Sequence, residues 1–228
     1  MDIKTVLFTA IFCGSLFISN SAVGQGENRS LLIGWGQTDL TPEKPVLVSG
    51  QFHARVSEGV MDPITATALV LESVKDGSPV SSVIMVSCDL GSISECLRKA
   101  VRERLAVLLP EIDPMSVIMN ATHTHTAPHT SVRRSYSRDP EPELNPYGVE
   151  LDVIPSEEYV TFASRKIAAA IADAWKSRSK GAISYGTDYA VVGRNRLISF
   201  SDGRSGMYSP TDHPKFSHVE GYEDHSLN

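Results

Sequence analysis

At 228 residues the chain is long enough to bury a sizeable core, and its length points to one domain, or one and a fraction. The composition is that of an ordinary globular protein and excludes a long disordered tract. A net charge of −6 without a basic stripe argues against a nucleic-acid partner. The basic run "RKAVRER" falls within a helical pattern and reads as a solvated helix face.

The first residues, "MDIKTVLFTAIFCGSLFISNSAVGQG", carry one lysine, a short apolar stretch from Val6 to Ile18, and then small residues up to Gly24. That layout predicts a signal peptide over residues 1–24 and a secreted or periplasmic chain from residue 25 onward. No second apolar stretch has spanning length, so no transmembrane domain is expected in the mature chain.

"SLLIGWGQTDLTP" reads as a first strand that turns at Thr41-Pro42, and "ITATALVLES" as a second, alternating and rich in β-branched residues. Asp76-Gly77 supplies a turn. "VSSVIMVSCDLG", residues 80–91, is continuously apolar, the pattern of a strand covered on both faces. Ser92 with Glu95 matches a capping box, and Leu97, Val101, Leu105 and Leu108 follow at helical spacing up to Pro110. "SVIMNATH", residues 116–123, reads as another buried strand. Strand, helix and strand with short links make a βαβ unit, so the two strands are expected to be parallel neighbours. The predicted fold is α/β, a mixed sheet with a parallel βαβ unit flanked by helices. Residues 126–155 lack periodicity and read as a lid or binding loop. Ser156 is placed as the N-cap of a strong helix that carries Tyr159, Phe162, Ile167, Ile171 and Trp175 on its apolar stripe. "GAISYGTDYAVV" is taken as one further strand, and the remainder as a Gly/Ser/Pro-rich loop region.

Chemistry concentrates at two strand ends. In a parallel α/β sheet, ligands bind beyond the carboxyl ends of the strands. One end carries Asp89; the other carries Asn120, Thr122, His123 and His125. On extended chain His123 and His125 point the same way, and two imidazoles beside a carboxylate suit Zn²⁺. A polar loop without metal uses the same residues, and spacing alone leaves both readings open. Asp89 reads either as a group orienting a ligand or as a carboxylate at the helix entry. Cys88 and Cys96 read either as a bridge or as buried thiols.

"IGWGQTDLTP", "TATALVLES", "VIMVSCDLGSIS" and "VIMNATHTHTAPH" occur in the order and spacing of the N-terminal domain of the neutral/alkaline ceramidases. The matching pieces there resemble "GxGxxDITxP", "ARAFVL", "TDLGMIS" and "THTHSGPG". The resemblance covers most of residues 32–228 and is most specific at "THTH". It implies a zinc-dependent amidohydrolase that cleaves a lipid amide at a membrane surface. His123 would be a zinc ligand, and His125 a catalytic residue that carries a proton or hydrogen-bonds the substrate. Asn120, Arg194 and Asn195 would contact substrate, with Asp89 behind the ligands. Met61 stands where the family has a second zinc histidine, which leaves Asp62 as a substitute metal ligand and His53 as another. The family's remaining ligands and its serine lie beyond the point matching Asn228, so the chain is expected to be the N-terminal part of a longer hydrolase. The rival readings are a metallohydrolase of the same fold acting on a different amide or ester, and a non-catalytic secreted binding module.

Overall fold

The computed structural model describes residues 28–51, 53–131 and 151–227. The expected signal peptide and most of the expected lid lie outside the described residues. Those described fall into two compact units, one ending at Gly181 and one beginning at Ala182.

The first unit is built on a five-stranded mixed sheet in the order β4-β3-β2-β1-β5. Strand β1 (Arg29–Asp39) pairs antiparallel with β2 (Thr65–Lys75), which pairs antiparallel with β3 (Ser78–Cys88). The β2–β3 hairpin closes on Asp76 and Gly77, both at positive φ, as a tight two-residue hairpin turn demands. Helix α1 (Glu95–Leu108) then carries the chain over to β4 (Val117–Ala121), which lies parallel to β3 with Cys88 opposite Ala121. The βαβ unit is therefore present as expected. Helix α2 (Ser156–Lys176) follows, and the short β5 (Ser179–Gly181) adds to the free side of β1.

Both helix starts differ from the expectation by one or two residues. Ser94, not Ser92, caps α1, its Oγ accepting from the Leu97 N–H at 3.1 Å. Pro155 precedes α2 at the cap position, and Ser156 is already helical; its Oγ meets His129 Nδ1 at 3.3 Å instead of capping.

The core lies on one face of the sheet. Ala66, Ala68 and Val70 of β2 and Ile84, Val86 and Cys88 of β3 are buried there, together with Leu97, Val101 and Leu105 of α1 and Ile167 and Ile171 of α2. Helix α2 sits close against β1 because Gly34 and Gly36 have no side chain. A Cβ on Gly34 would overlap the carbonyl oxygen of Ala174, and one on Gly36 that of Ala170. At the helix end Arg178 stacks on Trp175, 3.5 Å from the ring centroid, and its Nε donates to buried Glu72 at 2.9 Å.

The expectation that β3 is covered on both faces does not hold among the described residues. Its burial alternates, and Met85 is 45% exposed. Ile118, Met85, Leu69 and Trp35 stand in register across β4, β3, β2 and β1 on that outer face. The next row is polar: Asn120, Ser87, Thr67 and Gln37. Continuous apolarity here reflects a sheet with one buried face and a second, partly apolar one.

The expected long strand after α2 is broken. Only Ser179–Gly181 and, in the second unit, β6 (Asp188–Tyr189) are extended and paired. The second unit holds a three-stranded antiparallel sheet in the order β8-β7-β9, from β7 (Leu197–Phe200), β8 (Ser205–Met207) and β9 (Phe216–Val219). Strand β10 (Ser226–Leu227) pairs with β6. The loop reading of this region missed the β7–β8 hairpin, although Asp202-Gly203, with Gly203 at φ +81°, is a hairpin signal between apolar residues.

The glycine contact makes a prediction. Gly36→Ala forces α2 off β1, and overpacking of this kind costs about 1–3 kcal/mol or more. Gly59→Ala, with nothing within 4 Å of the new methyl group, is the control. Urea unfolding should show a lowered midpoint for the first and none of that loss for the second; equal midpoints would refute the close helix–strand contact.

Candidate functional site

The parallel ladder between β3 and β4 continues past the ends of both strands. The Thr122 N–H donates to the Cys88 carbonyl at 2.9 Å, and the His123 N–H to that of Leu90 at 3.0 Å. The side chain repeats the pattern, since His123 Nδ1 lies 2.6 Å from the Gly91 carbonyl oxygen. A carbonyl only accepts, so Nδ1 carries the proton and Nε2 of the neutral ring presents a lone pair. His123 has φ +65°, a left-handed conformation uncommon outside glycine and concentrated at functional turns.

His125 meets His123 edge to face, with ring centroids 5.0 Å apart. The two Nε2 atoms are 3.4 Å apart. The expectation that the two imidazoles converge is thus met, but through the left-handed turn at His123 and not through extended chain. Two facing Nε2 atoms need something between them, either one proton in a hydrogen bond or a shared cation.

A second segment holds this turn in place. Residues 46–48 pair back with residues 55–57, with Leu47 bridged to Val56 and the Val48 N–H donating to the Arg55 carbonyl at 2.8 Å. The same segment pairs with the chain after the histidines: the Ser49 N–H donates to Ala127 O at 2.9 Å, and the His129 N–H to Leu47 O at 2.8 Å. His129 is therefore part of the framework. The described start of the expected lid or binding loop is packed against the protein, with Ala127 and Thr130 buried. Ser94 Oγ donates to Thr130 O at 2.7 Å, joining the α1 cap to this run.

A cavity of about 700 Å³ runs along the 122–128 segment. Thr122, Thr124 and Thr126 line it, facing Asp62, Asp89 and the exposed Met61. His123 and His125, at the intervening positions, are not among its lining residues. The structure thus does not bring Asp62 to the histidines. Among the described residues no three His, Cys, Asp or Glu side chains are grouped to hold a metal ion, and His53 does not join the pair either.

Asp89 lines the cavity and works locally. Its Oδ2 accepts from both the N–H and the hydroxyl of Thr65 at 2.9 Å, tying the end of β3 to the start of β2. It does not cap α1; Ser94 does. Asn120 lies on the outer face of the sheet, its Nδ2 3.5 Å from Ser87 Oγ. Arg194 and Asn195 belong to the second unit. There the Asn195 N–H donates to Glu223 Oε1 at 3.0 Å, Arg194 lies 3.7 Å from the same carboxylate, and His225 is 3.0 Å from it. The Asn195 N–H, followed by the His225 contact, holds the Glu223 carboxyl below the usual range.

Cys88 and Cys96 do not bridge. Burial, with the adjacent Asp89 charge, pushes the Cys88 thiol up to about 12, so it stays protonated and is no nucleophile at neutral pH. The residues that the sequence reading missed are Gly50, Arg55 and Gly91. The glycines are marked by the room they leave and Arg55 by guanidinium contacts to loop carbonyls, and a glycine or arginine in a loop sends no sequence signal of that kind.

No family model and no curated protein matches the chain. Among the solved structures that share its fold are two ceramidases. One is a neutral ceramidase from Pseudomonas aeruginosa, at 22% identity and TM-score 0.55, over 76% of this chain and 25% of that one. The other is a ceramidase complexed with C2, at 23% identity and TM-score 0.55, over 75% and 25%. The chain therefore has a ceramidase-like α/β fold and spans about a quarter of the length of those structures.

The Asp89–Thr65 contact is open to test. Asp89→Ala strands the Thr65 N–H at a strand start, a loss of about 1–3 kcal/mol. Thr65→Val removes the hydroxyl partner, and the double variant should lose less than the sum of the singles by at least ~0.5 kcal/mol. Strictly additive unfolding energies would mean that the two do not interact.

Proposed function

We propose that this chain is a domain of a secreted or periplasmic zinc-dependent hydrolase that cleaves an amide bond of a lipid or related substrate at a membrane surface. The observation that carries the reading is the 3.4 Å separation of His123 Nε2 and His125 Nε2. Two nitrogens bound to one zinc at ~2.0–2.1 Å in a tetrahedral shell lie about 3.4 Å apart. The donor type and spacing thus fit half of a zinc site. A catalytic zinc usually takes about three protein ligands, so in this reading the remaining donors come from outside the described grouping. Asp62, across the cavity, would need to move to serve as one of them.

The pair's preparation supports the same reading. His123 is fixed with Nδ1–H on the Gly91 carbonyl, the arrangement that orients a ligating imidazole and raises its basicity. His125 then has one of two roles, second ligand or proton carrier beside a His123-bound ion, and both place its Nε2 where it lies. A zinc ion held there would supply Lewis acidity toward a carbonyl. The ceramidase-like fold and the "THTH" segment support a lipid amide. The likeness does not extend to Met61, which is almost fully exposed at the cavity. That observation favours a second reading, the same chemistry on a different amide or an ester. No helix among the described residues is long and apolar enough to cross a membrane.

The test is zinc content after dialysis, for wild type, His123→Ala and His125→Ala, with hydrolysis of paired N-acyl amide and ester substrates. Near-stoichiometric zinc in wild type and at least tenfold weaker binding in His123→Ala are expected. Equal zinc in wild type and His123→Ala would remove the assignment. Turnover of the ester alone would select the second reading.

A further inference from the structure

Resting on the metal reading above, we infer that the Ser49–Gly50 turn and Arg55 are the positioning device of the histidine pair: one turn sets both rings. The turn is wedged between the two histidine supports. On one side, a Cβ on Gly91, whose carbonyl holds His123, would lie 2.5 Å from Ser49 Oγ and 3.2 Å from the Thr124 carbonyl oxygen. On the other, a Cβ on Gly50 would press into the His125 side chain at Cβ and Cγ and lie 2.7 Å from Nδ1. Gly50 also has φ +95°, where an L side chain is strained. Glycine is therefore required twice over, for the turn itself and for the room that the His125 ring takes.

Arg55 locks the wedge. Its Nη2 donates to the His125 carbonyl and lies 3.4 Å from the Ser49 carbonyl, so one guanidinium joins the turn to the backbone of the second histidine. Its Nε is buried without a partner, so the side chain is kept there despite an unmet donor. Ser49 adds a main-chain bond to Ala127, two residues beyond His125. His125 is thus gripped at its ring by Gly50 and at its carbonyl by Arg55. None of these groups points a donor atom at the space between the two Nε2 atoms. They act through the histidines, and the prediction is an effect on metal affinity and ligand geometry.

The probe is Co²⁺, whose visible absorption reports coordination geometry, titrated into the full chain. Wild type, His123→Ala, Gly50→Ala, Arg55→Met and Arg55→Lys are compared, with thermal midpoints recorded for each. Arg55→Met should weaken Co²⁺ binding about 10- to 100-fold, the usual cost of losing support behind a ligand, and change the absorption band. Arg55→Lys, which keeps a donor, should recover part of that loss. Gly50→Ala should also weaken binding, and Arg55→Met decides the matter if Gly50→Ala fails to fold. Unchanged affinity and spectrum in a folded Arg55→Met, while His123→Ala loses Co²⁺, would overturn the positioning role and leave the metal reading standing. Absence of Co²⁺ binding in wild type would overturn the metal reading and this inference with it.

Discussion

Three consecutive hydrogen bonds carry the site: Thr122 to Cys88, His123 to Leu90, and the His123 ring to Gly91. They extend a parallel ladder beyond the sheet, so the placement of the first histidine is set by the register of β4 on β3. That register depends in turn on the core beneath it. Val117 of β4 and Ile84, Val86 and Cys88 of β3 are buried beneath the helices, and a one-residue slip would turn them out. The left-handed backbone at His123 is the cost of leaving the ladder in time to aim the ring back at Gly91.

A ladder alone would place one histidine. The second is placed by contacts distant in sequence, through the 46–57 segment, and this is where glycine and arginine replace hydrophobic packing as the organising groups. The threonines at the alternate positions face a cavity while the histidines do not, so the segment separates two chemistries. On one side its threonine hydroxyls share a cavity with the carboxylates of Asp62 and Asp89; on the other lie two imidazole nitrogens.

The parts of the molecule that could be read from the sequence are those with local causes. The β2–β3 hairpin is written in Asp76-Gly77, the helices in their periodicity, and the parallel pair in the short strand–helix–strand spacing. What escaped reading depends on contacts far apart in the chain. The apolar run in β3 looks the same whether one face or two are covered, and only register shows that Met85 and Ile118 share an outer row with Trp35. The convergence of His123 and His125 was legible as a two-residue spacing, yet its cause, a positive φ, was not. Asp62 was singled out for standing beside Met61, but adjacency along the chain did not bring it to the histidines. Asp89 was placed at the correct strand end, and its partner Thr65, on another strand, was invisible. The hairpin at Asp202-Gly203 is legible from its turn residues, but its flanking strands are only three or four residues long and give little alternation to read.

The central claim is that His123 Nε2 binds a metal ion beside His125 Nε2. Its most direct test is a crystal of the zinc-loaded protein, with anomalous diffraction recorded on both sides of the zinc absorption edge. The account predicts a single anomalous peak about 2.0–2.1 Å from His123 Nε2, on the side that faces His125. Clear density for both rings in a direct nitrogen-to-nitrogen hydrogen bond, with no anomalous peak between them, would contradict it.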